Sequence, residues 1–548
     1  MECVRYIIPL LLCILIQNVG AAPRVDPLVE TELGLIRGVM SNDGQYSMFM
    51  GIPYAHVDEA NPFGPSIPNP GFQDTFEAFD DSAICPQIEE FNNTITGTLD
   101  CLHLNIYVPQ TATSRNRLPV LLWIYGGSFS IGFSGRYLYG PSYYMKQDII
   151  LVTINYRLGP YGFMCLDHPE VSGNQGLKDQ QLAIKWVKEN IEAFGGDADK
   201  ITIYGESAGA ASVDLHLIYD QERLFDKVIL QSGTSQGAWA VPEPDIEAPF
   251  KLSEQLGFET DDINEALTYL SSVDPHLLIA ASAELQLDYR PCVEKYFDNS
   301  QQLIDVHPTN ANIANLRNIP ILIGFNNHEY IQNYHTFVAQ LNNNNFIDQY
   351  ISQILARAFR FADDEQNEME QLIRHFYAGD DEFNEATLMA LIDFQSDFNV
   401  NHPTKRIIKK YIDSGARNIF HYVFAYVGER NFVKDRQNIT IGGAAHADEI
   451  GYQFEISYMS QPNAEDQLIV DRMTTLWANF VKYGNPIPEP SELLPVNWPP
   501  VTEDELTFLE INSDLSVDRR PFYNRMAFWD LFYRLNTNSI IGYQSDGK

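Results

Sequence analysis

The chain has 548 residues, of which 45% are hydrophobic and 12% aromatic, so it carries enough apolar surface to bury a large core and is not a disordered chain. Its 73 acidic residues outnumber its 36 basic ones, for a formal net charge of −37. A surface this negative repels phosphate backbones and anionic lipids, which argues against nucleic acid and membrane surfaces as partners and otherwise favours solubility.

At the N-terminus, Arg5 precedes an apolar run from Tyr6 to Ile16, and Gly20, Ala21 and Ala22 follow. The run is too short to span a bilayer and has the layout of a signal peptide, residues 1–22. The expected mature protein is a single domain over residues 23–548, secreted and extracellular. No membrane anchor is expected, since no later stretch is long and apolar enough to span and the end Gln544 to Lys548 is neither a retention signal nor a lipid-anchor tail. Cys3 and Cys13 leave with the leader. Cys85, Cys101, Cys165 and Cys292 remain, with three connectivities open. Asn92 and Asn438 each begin an N-x-T sequon and are candidate glycosylation sites.

Seven β-rich runs follow in order: Val120 to Ile124, Ile149 to Ile154, Ile201 to Tyr204, Lys227 to Leu230, Pro320 to Gly324, Ile419 to Tyr426 and Leu506 to Ile511. Helical patterns lie between them, as in Leu182 to Phe194, where Leu182, Ala183, Trp186, Val187 and Ile191 share one face. Strands alternating with helices predict an α/β fold with a central, mostly parallel twisted sheet and helices on both faces. Such folds place their sites at the carboxyl ends of the strands. Between Ala238 and Pro308, and again between Ile347 and Ala390, the pattern turns mainly helical. Both stretches are expected to be insertions over the active site. Asn342 to Asn345 is a short polar run of loop character.

Strand-like Ile201 to Tyr204 runs into Gly205-Glu206-Ser207-Ala208-Gly209, and the small residues after it can continue as a helix. A bare G-x-S-x-G is weak evidence. In a strand–turn–helix context its glycines permit a sharp, strained turn that lifts the serine oxygen above the sheet, so Ser207 is the candidate nucleophile.

Other segments resemble the carboxylesterase/cholinesterase family. They include Phe49-Met50-Gly51-Ile52-Pro53-Tyr54-Ala55, Asp100 to Pro109, Asn155-Tyr156-Arg157-Leu158-Gly159, Gly173 to Gln180 and Phe194-Gly195-Gly196-Asp197. The resemblance extends from about Glu30 to Asp530 and implies the α/β-hydrolase fold and a serine carboxylesterase. It also implies an oxyanion hole. Attack on an ester puts negative charge on the carbonyl oxygen, and rigid backbone amides aimed at that oxygen stabilise it. Carried over from the family, the amides are those of Gly127 and Ser128, in the turn Tyr125-Gly126-Gly127-Ser128-Phe129, and of Ala208. The family often has a third glycine where this chain has Ser128, a change that keeps the N–H.

In α/β hydrolases the chain order is Ser, acid, His. His446, in Gly442-Gly443-Ala444-Ala445-His446-Ala447-Asp448-Glu449-Ile450, resembles the family's histidine loop, which usually has glycine at the Ala447 position. His421 falls inside a strand-like run and is expected to be structural. Pro320 to Glu329 resembles the strand leading to the family's catalytic acid, which makes Glu329 the candidate; the next residue, usually glycine, is Tyr330. Asp397 is the alternative acid. Glu206 adds a negative charge that favours imidazolium at His446.

The implied mechanism is proton transfer from Ser207 to His446, attack on the ester carbonyl, and hydrolysis of an acyl-enzyme. It needs no metal and no organic cofactor, and the partner is a small-molecule ester. The resemblance also implies a Cys85–Cys101 disulfide. Cholinesterases carry a tryptophan in that loop for choline; here the loop holds Phe91 and neither Trp nor Tyr, so no choline site is expected. Insect juvenile-hormone esterases typically have Gln at the Glu206 position, which counts mildly against that role. The rival class is an inactive esterase-fold binding protein of the neuroligin-like kind, which usually lacks a triad member and has a transmembrane segment.

Overall fold

The computed structural model describes residues 27–219, 222–298, 300–313, 316–340, 346–380, 384–385 and 387–543. The expected signal peptide, the Asn342 to Asn345 run and the Gln544 to Lys548 end lie outside them. Within the described residues an 11-stranded sheet organises the chain. Its strands are β1 (Val39–Met40), β2 (Tyr46–Pro53), β3 (His103–Pro109), β4 (Leu118–Ile124), β5 (Ile150–Ile154), β6 (Gly196–Glu206), β7 (Lys227–Gln231), β8 (Ile321–Asn326), β9 (Ile419–Phe424), β10 (Thr507–Ile511) and β11 (Leu515–Arg519). Their spatial order is β1-β2-β3-β5-β4-β6-β7-β8-β9-β10-β11.

From β5 across to β10 every neighbour is parallel. The antiparallel pairs sit at the two ends, β1–β2–β3–β5 on one side and β10–β11 on the other. Every residue of β5, β7, β8 and β9 is buried. Successive side chains of a strand face opposite sides, so both faces of the sheet are covered, and these strands read as mainly Val/Ile/Leu/Phe runs rather than as alternating patterns. This is the α/β-hydrolase architecture expected from the sequence.

Helix α1 (Gln175–Asn190) begins well ahead of the expected Leu182 and passes into a 3₁₀ turn at Ile191–Phe194. Its first turns were hidden because they bury polar groups. Asp179 accepts Arg157 through two parallel bonds of 2.7 Å, with both side chains fully buried, and Gln180 meets His216 at 2.9 Å. Apolar periodicity cannot register a helix face whose burial is bought with hydrogen bonds. Helix α2 (Ala208–Tyr219) leaves the end of β6 directly.

The first insertion holds α3 (Ala248–Gln255), α4 (Ile263–Ser272) and α5 (Pro275–Glu284). The expected helical character stops there, since the described residues from Leu285 to Pro320 form neither helix nor strand. Side chains satisfy that backbone instead: Asn174 donates to Cys292 O at 2.9 Å and accepts from Cys292 N at 3.0 Å. A Cys165–Cys292 disulfide pins the segment to the body. The second insertion is helical as expected, with α6 (Phe346–Ala356), α7 (Asp363–Ala378) and α8 (Leu388–Ser396). No helix of the described residues is long and apolar enough to cross a membrane.

Candidate active site

Three strand ends deliver the site. Ser207 follows β6, Glu329 follows β8, and His446 lies in the loop between β9 and β10.

Ser207 holds φ +56°, a left-handed conformation that side chains rarely adopt. The flanking glycines make it possible. A Cβ on Gly205 would lie 2.4 Å from the Gly209 carbonyl carbon, and one on Gly209 would lie 2.0 Å from Ile124 O. The Ser207 N–H donates to Gln231 O at 2.8 Å, which locks the turn to β7. The serine is half-buried, and its hydroxyl has no hydrogen bond among the described residues.

Beyond β4, Gly127 has φ +108°, and Ser128 and Phe129 have φ +56° and +59°. The Gly127 and Ser128 amides donate to no acceptor among the described residues, and Ala208 opens α2, so its amide has no intrahelical partner. Three free donors thus flank the serine. Ser128 is exposed, and its carbonyl is held from behind by Arg290 Nη1 at 2.6 Å. Ser128→Ala keeps the N–H, so kcat should stay within a few-fold of wild type. A hundredfold loss with an unchanged melting curve would make the hydroxyl the donor and overturn the three-amide reading. Proline there is no clean probe, because its φ near −65° conflicts with +56°.

Glu329 is fully buried. One carboxylate oxygen accepts from Ser232 Oγ at 2.6 Å and Asn326 N at 2.7 Å, and the other meets His446 Nδ1 at 2.5 Å. The two backbones join as well, His446 N donating to Glu329 O at 2.9 Å. Tyr330, where the family has glycine, sits at φ −100°, which any residue adopts. Ala447 is at φ +63°, so that departure from glycine places an L side chain in the left-handed region. Asp397, the alternative acid, lies elsewhere: it accepts from Tyr377 OH at 2.6 Å and Asn401 Nδ2 at 2.8 Å and pairs with Arg525 at 3.0 Å. His421 is buried in β9 against Ile323 O at 3.0 Å, and burial pushes its pKa down to about 4.

The other ring nitrogen, His446 Nε2, is 3.2 Å from Glu206 Oε1. Burial works against charge on the imidazole, but the carboxylates of Glu206 and Glu329 outweigh it and lift His446 to about 10. Burial likewise pushes Glu206 up to about 8, against the pull of His446, so the proton belongs to the pair. A third carboxylate, Glu449, was not singled out from the sequence. It is fully buried, accepts Gln231 Nε2 at 2.8 Å and an Asn326 amide bond, and is raised to about 7 by burial first and Glu329 second. Its one sequence signal is its place three residues after His446.

A base must be neutral to accept the Ser207 proton, and a raised pKa keeps it protonated to higher pH. Activity should therefore rise with pH through an apparent pKa above the ordinary ~6.5 of histidine. Glu206→Gln removes one raising charge, so that limb should move to lower pH. A limb at the same pH in both proteins would remove Glu206 from the account.

The structure joins Cys85 to Cys101, with Cα atoms 5.1 Å apart. Phe91 in that loop packs edge-on against Tyr137 and Tyr458, with Arg436 over its ring. Among the described residues no cluster of three or more His, Cys, Asp or Glu could hold a metal ion.

A family model described as the carboxylesterase family matches residues 25–529. Bile salt-activated lipase of Bos taurus is 30% identical over 92% of this chain and 87% of its own length. Juvenile hormone esterase of Tribolium castaneum is 30% identical over 92% of this chain and 93% of its own length. The crystal structure of juvenile hormone esterase from Manduca sexta, with OTFP covalently attached, matches with a TM-score of 0.81 at 27% identity, covering 93% of this chain and 100% of that one.

Proposed function

The chain belongs to the carboxylesterase family, and we propose that it is a secreted serine carboxylesterase working through an acyl-enzyme on Ser207. That it is a carboxylic-ester hydrolase follows from the family and from relatives named esterase and lipase. The observation that carries the catalytic reading is the 2.5 Å bond from His446 Nδ1 to buried Glu329, with Nε2 of the same ring 3.2 Å from Glu206, the residue before a serine held on a strained elbow.

In this reading Glu329 fixes the tautomer, so that Nδ1 carries the hydrogen and Nε2 is free to take a proton. On substrate binding His446 Nε2 exchanges its contact with Glu206 for Ser207 Oγ, which attacks the ester carbonyl. The oxyanion forms among the amides of Gly127, Ser128 and Ala208. Imidazolium then protonates the leaving alcohol, and water, deprotonated by His446, frees the acid from Ser207. Glu206 stabilises the imidazolium at each step.

Secretion and a single mature domain over residues 23–548 are part of the same proposal. Two disulfides and the exposed sequon residues Asn92 and Asn438 support it. Purified protein with a series of uncharged short-chain chromogenic esters tests the function directly. Turnover is expected, and none in folded protein would restore the inactive binding-protein reading, which relatives named as esterases do not favour. Choline esters should gain nothing. The one aromatic residue of the Cys85–Cys101 loop, Phe91, is engaged by Tyr137, Tyr458 and Arg436. A kcat/KM for butyrylcholine tenfold above that for an uncharged butyrate of similar size would overturn this.

A further inference from the structure

Beside the oxyanion turn lies a separate cavity of about 310 Å³, at the small end of sites that take organic ligands. In a chain of net charge −37, its wall carries three arginines, Arg290, Arg357 and Arg406. Their partners decide the local charge. Arg290 Nε lies 2.7 Å from Asp288 Oδ1, and Glu243, the other carboxylate on the wall, is paired with Arg360. Arg406 has only neutral partners: it donates to Gln236 Oε1 at 3.0 Å and its guanidinium stacks 4.5 Å above the Tyr533 ring. The guanidinium of Arg357, exposed just after α6, makes no hydrogen bond or ion pair among the described residues. Both cavity carboxylates are therefore spoken for, and two guanidinium groups are left without an anion.

A further donor is unmatched. Arg406 fixes which end of the Gln236 amide is oxygen, and the remaining Nε2 has no acceptor although the residue is only 7% exposed. A buried donor without a partner is costly and calls for an acceptor. Part of the wall is apolar, with Trp239, Val241, Pro242 and Ile541, and Ser235, His307 and Thr309 line the remainder. Arginine matches a carboxylate bidentately, and the apolar part of the wall suits an alkyl chain.

We propose that this cavity binds a medium-chain carboxylate, its head group taken by Arg357 and Arg406 and its chain laid against Trp239. On the esterase reading, carboxylates are also what turnover releases. The site itself does not depend on that reading, because occupancy is measured without turnover.

Equilibrium dialysis of hexanoate against the full chain, at pH 8 and low salt, tests it, before and after an organophosphate has capped Ser207. One hexanoate per chain should bind in both cases. Hexanol should bind at least tenfold more weakly. Arg357→Glu should weaken hexanoate at least tenfold while its melting curve and its turnover of a neutral ester stay unchanged, and Arg406→Gln should weaken it severalfold. Loss of binding on capping would place hexanoate in the catalytic site instead. Equal binding of hexanol, or full affinity in both arginine variants, would also overturn the proposal. Failure of Ser207 to take the organophosphate would count against the esterase reading alone, and the arginine variants would still decide the cavity.

Discussion

Ser207→Ala is expected to lower kcat on a short-chain ester by roughly 10⁴ or more, the scale of triad deletions. The change removes one oxygen from a half-buried site and leaves the elbow's backbone demands as they were, since alanine at φ +56° is strained no more than serine. An unchanged melting curve should accompany the loss. The residual rate would come from the amides of Gly127, Ser128 and Ala208, which still bind the ester carbonyl but have no nucleophile to pair with it. An organophosphate, whose phosphoryl group is attacked by the same oxygen, should label wild-type Ser207 and leave the variant unlabelled. Label on a different serine, or activity within tenfold of wild type, would move the nucleophile elsewhere.

Glu329→Gln should cost a comparable amount, about 10⁴ in kcat, with the geometry nearly intact. Two donors, Asn326 N–H and Ser232 Oγ–H, converge on one carboxylate oxygen, and His446 Nδ1–H meets the other. Glutamine has a single acceptor oxygen. Facing two donors at 2.7 and 2.6 Å, it will turn that oxygen toward them and present its NH₂ to His446. The imidazole then shifts its hydrogen to Nε2, the position from which the base must act. Glu329→Asp would instead keep a charge but shorten the reach, and should lose less. Near-normal kcat in Glu329→Gln would exclude Glu329 as the orienting acid.

The interior of the sheet was legible because strands buried on both faces are predominantly apolar, as in Ile150–Ile154 and Ile321–Phe325. The edges were not. Leu515–Arg519 reads Leu-Ser-Val-Asp-Arg, with only one buried residue, and no apolar run marks it. Ser207 was legible because the close approach of Gly205 to Gly209 leaves room for nothing larger. Glu329 was reached only through resemblance, since nothing in the local sequence distinguishes it from other carboxylates; two of its three donors, Ser232 and His446, come from segments 97 and 117 residues away. Arg290 was missed altogether. Its bond to Ser128 O spans 162 residues and issues from a stretch with no periodicity to read.

That stretch has a bearing on how the protein is prepared. The Cys165–Cys292 bridge closes 127 residues of chain and fastens the segment that brings Arg290 to the back of Ser128. Gly173 passes so close to both sulfurs that a Cβ there would come within 2.6 and 2.7 Å of them. In a host with a reducing cytosol that bridge would stay open, and the support behind the candidate oxyanion turn would be left loose. Such a preparation would bind organophosphate slowly for want of charge stabilisation, not for want of a nucleophile. Export to an oxidising compartment, rather than a change of purification, is the remedy the architecture calls for.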